Sequence, residues 1–350
     1  MKSVAAIQRK HGEDMILDQI DIPEPGPEQV SVKLFSSGIC HSQLYEMGNP
    51  TNPRPRVFGH EGTGIVTAIG KNVTHIKEGD HCIITWVPGP YTKGRPDKTP
   101  PGATYKNELV HCAWSFTWSE YSLVKGEYVV PIPKDEPVDI SCIVGCAVLT
   151  GAGAVLHTAQ LKPSNSIAVF GMGGVGLSAI NMATILGANP IIAIDLDEKK
   201  LEFSKTFGAT HVINTRKNNP VEAIHEITHG GVDYAIDAVG IRQTNEQILQ
   251  ATRGGGPGAA NIGGTSILIG MPGKEMTLNP ELFMQEQKIY RGSLGSAYPE
   301  TDFSMYLRLY REKKFYLDKL ITHRYKFKDV VQGYKDLDAG KILGRAIIEY

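Results

Sequence analysis

The chain has 350 residues, 41% of them hydrophobic and 21% charged, with a formal net charge of -1. That length suits two domains of about 100–200 residues each, and a balance this ordinary gives no case for nucleic acid or an anionic membrane as a partner. No run of about 18 apolar residues predicts a membrane span, and the charged segment Met1 to Lys10 lacks the apolar centre of an export signal.

The five cysteines, Cys40, Cys82, Cys112, Cys142 and Cys146, are an odd and sparse set. They argue against a disulfide framework and for reduced thiols in a cytoplasmic protein. Such thiols serve as metal ligands or as small buried apolar side chains.

Up to about residue 148 the predicted elements are short strands broken by Gly and Pro. They are Val30 to Phe35, Gly64 to Ile69, His81 to Trp86 and Tyr121 to Val124, with a turn signal at Pro23-Glu24-Pro25-Gly26-Pro27. This half reads as a mostly β domain. Residues 87–109, rich in Pro, Gly and Lys, read as a loop.

From there strands and helices alternate. Strand Ser166 to Phe170 is followed by helix Gly176 to Leu186, strand Ile191 to Asp195 and helix Glu198 to Phe207, which Gly208 ends. Further strands are expected at His211 to Ile213, Tyr234 to Asp237 and Ser266 to Ile269, the last after a glycine-rich connection at 253–264. The alternation predicts an α/β doubly wound parallel sheet. Tyr298 to Tyr350 reads as helices followed by a short strand, Arg345 to Glu349.

The strongest local motif is Gly171-Met172-Gly173-Gly174-Val175-Gly176, between a strand and a helix. The first glycine permits a tight turn, Gly173 lets backbone approach a pyrophosphate, and Gly176 lets the helix pack closely on the strand. Asp195 ends the next strand about 20 residues beyond Gly176, where an acid bonds the ribose hydroxyls and repels a 2′-phosphate. This favours NAD over NADP. Lys200 fits the same ribose or a solvated helix face equally well.

Cys40, His60, Glu61 and Cys146 are further candidates, although no compact ligand spacing joins them. Alone, each reads as packing or as a satisfied polar group. Grouped, two thiolates and one imidazole would make a catalytic zinc site with an open fourth position.

Taken together, Gly38-Ile39-Cys40-His41-Ser42, Gly59-His60-Glu61-Gly62-Thr63-Gly64, Gly145-Cys146-Ala147-Val148-Leu149-Thr150-Gly151, the 171–176 turn, Leu317 to His323 and Gly344-Arg345 resemble the zinc-containing alcohol dehydrogenases of the medium-chain dehydrogenase/reductase superfamily. The resemblance spans nearly the whole chain. It implies a GroES-like, mostly β catalytic domain at 1–147 and 295–350, and a Rossmann NAD-binding domain at 148–294. It also implies hydride transfer between NAD(H) and a primary or secondary alcohol, aldehyde or ketone, in a homodimer or homotetramer.

By the same resemblance, Cys40, His60 and Cys146 are the ligands of one catalytic zinc, and Glu61 is an acid beside it. Ser42 takes the proton of the bound alcohol. Thr150 and Val175 press on the nicotinamide, Ile269 joins the cofactor site, and His41 and Arg345 lie near the pyrophosphate. Trp86 lines the substrate pocket or is simply core. Two positions depart from the family: Gln43, where an Asp usually orients the zinc-bound His, offers only an uncharged carbonyl, and Tyr45 replaces a relay His, leaving the relay to end in water or at His41. Residues 87–111 hold no cysteine, so no structural zinc is expected; Trp114, Phe116, Trp118 and the local prolines are candidates to hold that lobe. A zinc-free quinone reductase on the same fold would lack the three ligands. A polyol dehydrogenase with an acidic third ligand is disfavoured by Cys146, and a non-catalytic nucleotide binder would bind NADH without turnover.

Overall fold

A computed structural model describes residues 1–89 and 101–350, so part of the predicted 87–109 loop lies outside the described residues. The chain divides into two compact units. The first comprises Met1–Cys146, Tyr298–Arg311 and Leu317–Tyr350, and the second Ala147–Ala297 with Glu312–Tyr316. The short piece 312–316 belongs with the second unit because the Asn181 side chain donates to the Lys314 carbonyl and accepts from the Tyr316 amide.

The first unit is built on two sheets. The larger centres on the strand Gln29–Ile39, which pairs antiparallel with Gly62–Ile69, Tyr121–Lys125 and Arg345–Glu349. Its length exceeds the predicted 30–35 because the sequence continues through Ser36, Ser37 and Gly38, small residues that are fully buried or packed against a neighbour. Ala6, Ile39, Phe58, Trp118, Ala346 and Ile348 share one core cluster, and Ile7, Val57, Tyr105, Val110 and Phe116 another. Phe116 and Trp118 are therefore core residues, whereas Trp114 is half-buried.

The C-terminal stretch departs from expectation. Between the helices Pro299–Arg311 and Val330–Asp338 lies a strand, Ile321–Lys326, which runs parallel to Arg345–Glu349. Its residues Ile321-Thr322-His323-Arg324-Tyr325-Lys326 alternate in burial only weakly, because it is the outer strand of its sheet.

The second unit is a six-stranded parallel sheet. With its strands numbered along the chain, the spatial order is 3-2-1-4-5-6, the order of doubly wound dinucleotide-binding folds. The first strand, Ile167–Phe170, is buried at every position, as a parallel strand covered on both faces must be. The helix Gly174–Ile185 begins two residues earlier than predicted, directly at the glycine turn, and is buried over most of its length. Asn219 caps the helix Pro220–Thr228 with proline at its first position. No helix among the described residues is long and apolar enough to cross a membrane.

Candidate functional site

Strand register brings the first set of candidate residues together. Ile39 pairs with Ala346, so the next residue outward on one strand is Cys40 and on the other Arg345. Ser37 pairs with Gly62, which puts Glu61 against Gly38. A Cβ at Gly38 would lie 2.5 Å from the Glu61 carboxyl carbon, so glycine there makes room for the acid. Gly59 has φ +93 and packs against Thr117, which turns the chain so that His60 and Glu61 point inward. Cys146 follows the turn Ser141–Gly145, which is tethered where Thr85 Oγ1 donates to the Gly145 carbonyl at 2.8 Å.

The donor atoms of Cys40, His60, Glu61 and Cys146 all lie within 4.8 Å of one another. His60 Nε2 is 3.2 Å from Cys146 Sγ, and the two sulfurs are 3.9 Å apart. Tetrahedral zinc with ordinary Zn–S and Zn–N bonds has ligand–ligand edges of about 3.3–3.8 Å, so these residues fit the ion. Cys40 is held well below the usual thiol range, first by the hydrogen bond from Cys146 and then by the charges of Arg345 and His60. Cys146, the donor in that bond, is pushed up. Burial alone would lower His60, but the hydrogen bond and charge of Cys40 outweigh it and raise it. By contrast, burial pushes the Cys82 and Cys142 thiols up to about 12, so these two stay protonated and apolar.

Arg345 forms a buried ion pair with Glu61. The family resemblance implies Arg345 near a pyrophosphate; in the structure its guanidinium pairs with the acid beside the metal ligands. Gln43 also departs from expectation. Its Oε1 accepts from the Cys40 backbone N–H at 2.7 Å, so it is the amide Nε2, not the carbonyl, that meets His60 Nδ1 at 2.8 Å.

Ser42 sits in the first turn of the helix His41–Gly48 with its Oγ buried and unpartnered in the structure. His41 is exposed at the start of that helix, and Tyr45 is 57% exposed further along it. Trp86 follows Thr85, so its place in the chain is fixed close to Cys146. Its ring meets Trp114 with centroids 5.7 Å apart, and its Nε1 is buried without a partner.

The second set lies in the second unit. A Cβ at Gly176 would sit 1.8 Å from the Gly171 carbonyl oxygen, whereas one at Gly173 would meet nothing within 4 Å. Gly176 therefore serves packing, and the space at Gly173 leaves backbone open to a ligand. Asp195 Oδ2 accepts from the Met172 amide at 2.7 Å and Oδ1 from Leu196 and Asp197, so this acid also holds the glycine turn. Lys200 is half-buried on the next helix. Val175 lies in the first turn of the helix Gly174–Ile185, and Ile269 follows the strand Thr265–Leu268. Thr150 is buried, its hydroxyl unpartnered in the structure.

Two family profiles match the chain: the alcohol dehydrogenase GroES-like domain over residues 26–134 and the zinc-binding dehydrogenase over 174–312. Alcohol dehydrogenase 1 of Pisum sativum is 31% identical over 377 aligned residues, covering 100% of this chain and 97% of the relative. The chain belongs to the zinc-containing alcohol dehydrogenase family. An S-(hydroxymethyl)glutathione dehydrogenase of Saccharomyces cerevisiae is also 31% identical, covering 98% of this chain and 95% of the relative. Among solved structures, the benzyl alcohol dehydrogenase of Acinetobacter calcoaceticus superposes with a TM-score of 0.90 at 32% identity, covering 100% of this chain and 99% of that one. Like the family, this dehydrogenase is a zinc-dependent oxidoreductase of the alcohol and aldehyde class. Sequence reasoning missed the partners of two residues, Gln43 and Arg345. The strand register that pairs Ile39 with Ala346 is what brings Arg345 to the metal ligands.

Proposed function

We propose that this dehydrogenase moves a hydride between NAD(H) and a small, flat primary or secondary alcohol and its carbonyl product, with one zinc per chain. The observation that carries the reading is the convergence of Cys40, His60 and Cys146 at distances that suit zinc. Zinc held by these three would supply a Lewis acid that makes an alcohol hydroxyl acidic near neutral pH.

The chain's own residues do the rest. The Ser42 hydroxyl, buried and without a partner, is the group to take the alcohol proton and pass it outward. Water, or the exposed His41, then receives it. Glu61 and Arg345 balance charge around the thiolates. In the second unit the glycine turn and helix N-terminus receive the pyrophosphate, Asp195 the ribose, and Thr150, Val175 and Ile269 the nicotinamide side. Asp195 favours NAD over NADP, because a 2′-phosphate beside a carboxylate is repelled.

Trp86 and Trp114 form an aromatic wall that suits a flat substrate. The first unit is the catalytic domain and the second the cofactor domain. The five cysteines are all free, which suits the reducing cytoplasm, and assembly as a dimer or tetramer follows the family. No structural zinc is expected, because residues 87–111 hold no cysteine.

The test is the oxidation of NADH and of NADPH with benzaldehyde, short aliphatic aldehydes and a quinone. The reading expects aldehyde-dependent turnover that prefers NADH by at least about 10-fold, the worth of a single favourable charge contact. Reduction of the quinone without turnover of any aldehyde would overturn it.

A further inference from the structure

The amide of Gln43 faces two neighbours and satisfies both in only one arrangement. A backbone N–H is a donor in every state, so the Cys40 amide, 2.7 Å away, fixes Oε1 of Gln43 as its acceptor. The other end of the side chain is then an NH2 group, and it donates to His60 Nδ1 at 2.8 Å. Gln43 is 1% exposed and His60 4%, so water does not substitute for either bond. His60 Nδ1 must therefore carry the lone pair and Nε2 the proton. That Nε2–H points at Cys146 Sγ, 3.2 Å away.

A metal ion among Cys40, His60 and Cys146 needs the opposite. Nε2 must offer its lone pair, and the proton must sit on Nδ1. There it meets the NH2 of Gln43, donor against donor. If the amide turns over, Oε1 accepts from His60, but the NH2 then faces the Cys40 N–H, again donor against donor. A carboxylate has an acceptor oxygen for each neighbour and meets no such conflict.

We infer that Gln43 is a positioning residue that holds His60 in the tautomer unfit for metal, and so weakens metal binding and makes it reversible. The inference rests on the metal-site reading above. The chain would exchange zinc with its surroundings where a chain with an acid at this position would retain it. The expected size is about 10–100-fold in metal affinity, the usual effect of a partner to a ligating histidine.

The test compares the full-length chain with Gln43→Glu, which keeps the reach of the side chain. Zinc affinity is measured by competition with a chromophoric chelator. The His60 tautomer is read from 15N shifts of the metal-free, 15N-histidine-labelled protein at mildly alkaline pH, with His60→Gln used for assignment. The expected result is zinc binding tightened about 10–100-fold in Gln43→Glu, with the proton on Nε2 in the parent and on Nδ1 in the variant. Equal zinc affinities would overturn the inference while leaving the metal site standing. Tighter binding with the parent already protonated on Nδ1 would also overturn it, since charge alone would then explain the gain. That tautomer measurement on the parent needs no variant, so the inference stays testable if Gln43→Glu does not fold. Zinc binding by neither protein would refute the metal-site reading and this inference together.

Discussion

Replacing Arg345 by Met would leave the Glu61 carboxylate buried without its cation. The Glu61 side chain is 0% exposed and that of Arg345 6%, so solvent screens the pair very little. Removing one partner of such a pair costs about 3–5 kcal/mol, most of it the burden of the stranded charge. At about 2–4 °C per kcal/mol for a domain of this size, the unfolding midpoint of the first unit should fall by roughly 6–20 °C. Glu61→Gln should cost a similar amount by stranding Arg345, although the Cys40 thiolate offers the guanidinium some compensation. The double variant strands neither charge and should be about 2 kcal/mol or more stabler than the sum of the single losses predicts. The assay is thermal and urea unfolding of the zinc-loaded parent, both single variants and the double. Losses that add to within about 0.5 kcal/mol would refute the reasoning, because two residues acting as one buried pair cannot be independent.

Two further predictions concern the cofactor turn. Gly176→Ala sets a methyl 1.8 Å from the Gly171 carbonyl oxygen, a backbone atom that no side-chain rotation can move aside; NADH affinity, read by fluorescence titration, should fall by about 5–150-fold, for overpacking worth about 1–3 kcal/mol, and a loss under about 3-fold would contradict the packing argument. Asp195→Ala removes the acceptor of the Met172 amide as well as the ribose partner; KM for NAD should rise about 10–100-fold from the loss of one or two charged hydrogen bonds, with weaker discrimination against NADP, and unchanged kinetics with both cofactors would reject the role given to Asp195.

The second unit was the more legible in the sequence. Strands such as Ile167–Phe170 and Ile191–Asp195 are short apolar runs closed by Gly or Asp, and the glycine turn carries its own spacing, so the fold class could be read locally, whereas the outermost strand Ile289–Gly292, mostly exposed, gave no such signal. The strand Ile321–Lys326 could not, because an outer strand with polar and charged residues lacks a clear period of two. The metal ligands were legible only through family resemblance. Cys40, His60 and Cys146 are separated in the chain; strand register sets Cys40 beside the His60 segment, and the turn tethered to Thr85 adds Cys146, so local spacing does not show the group. The same limit hid the partner of Arg345, which lies 284 positions from Glu61. At Gln43 the residue was noticed but its polarity misjudged, since nothing in the sequence says that the Cys40 amide claims the carbonyl.

The central claim is that Cys40, His60 and Cys146 hold a catalytic zinc. Its most direct test is the metal content of the purified chain, measured together with alcohol–aldehyde turnover before and after chelation and zinc replenishment. About one zinc per chain is expected once zinc is supplied, with turnover lost with the metal and restored by zinc, and neither zinc nor turnover in Cys146→Ala. A zinc-free chain that turns over alcohols at full rate, or full zinc content in Cys146→Ala, would contradict it.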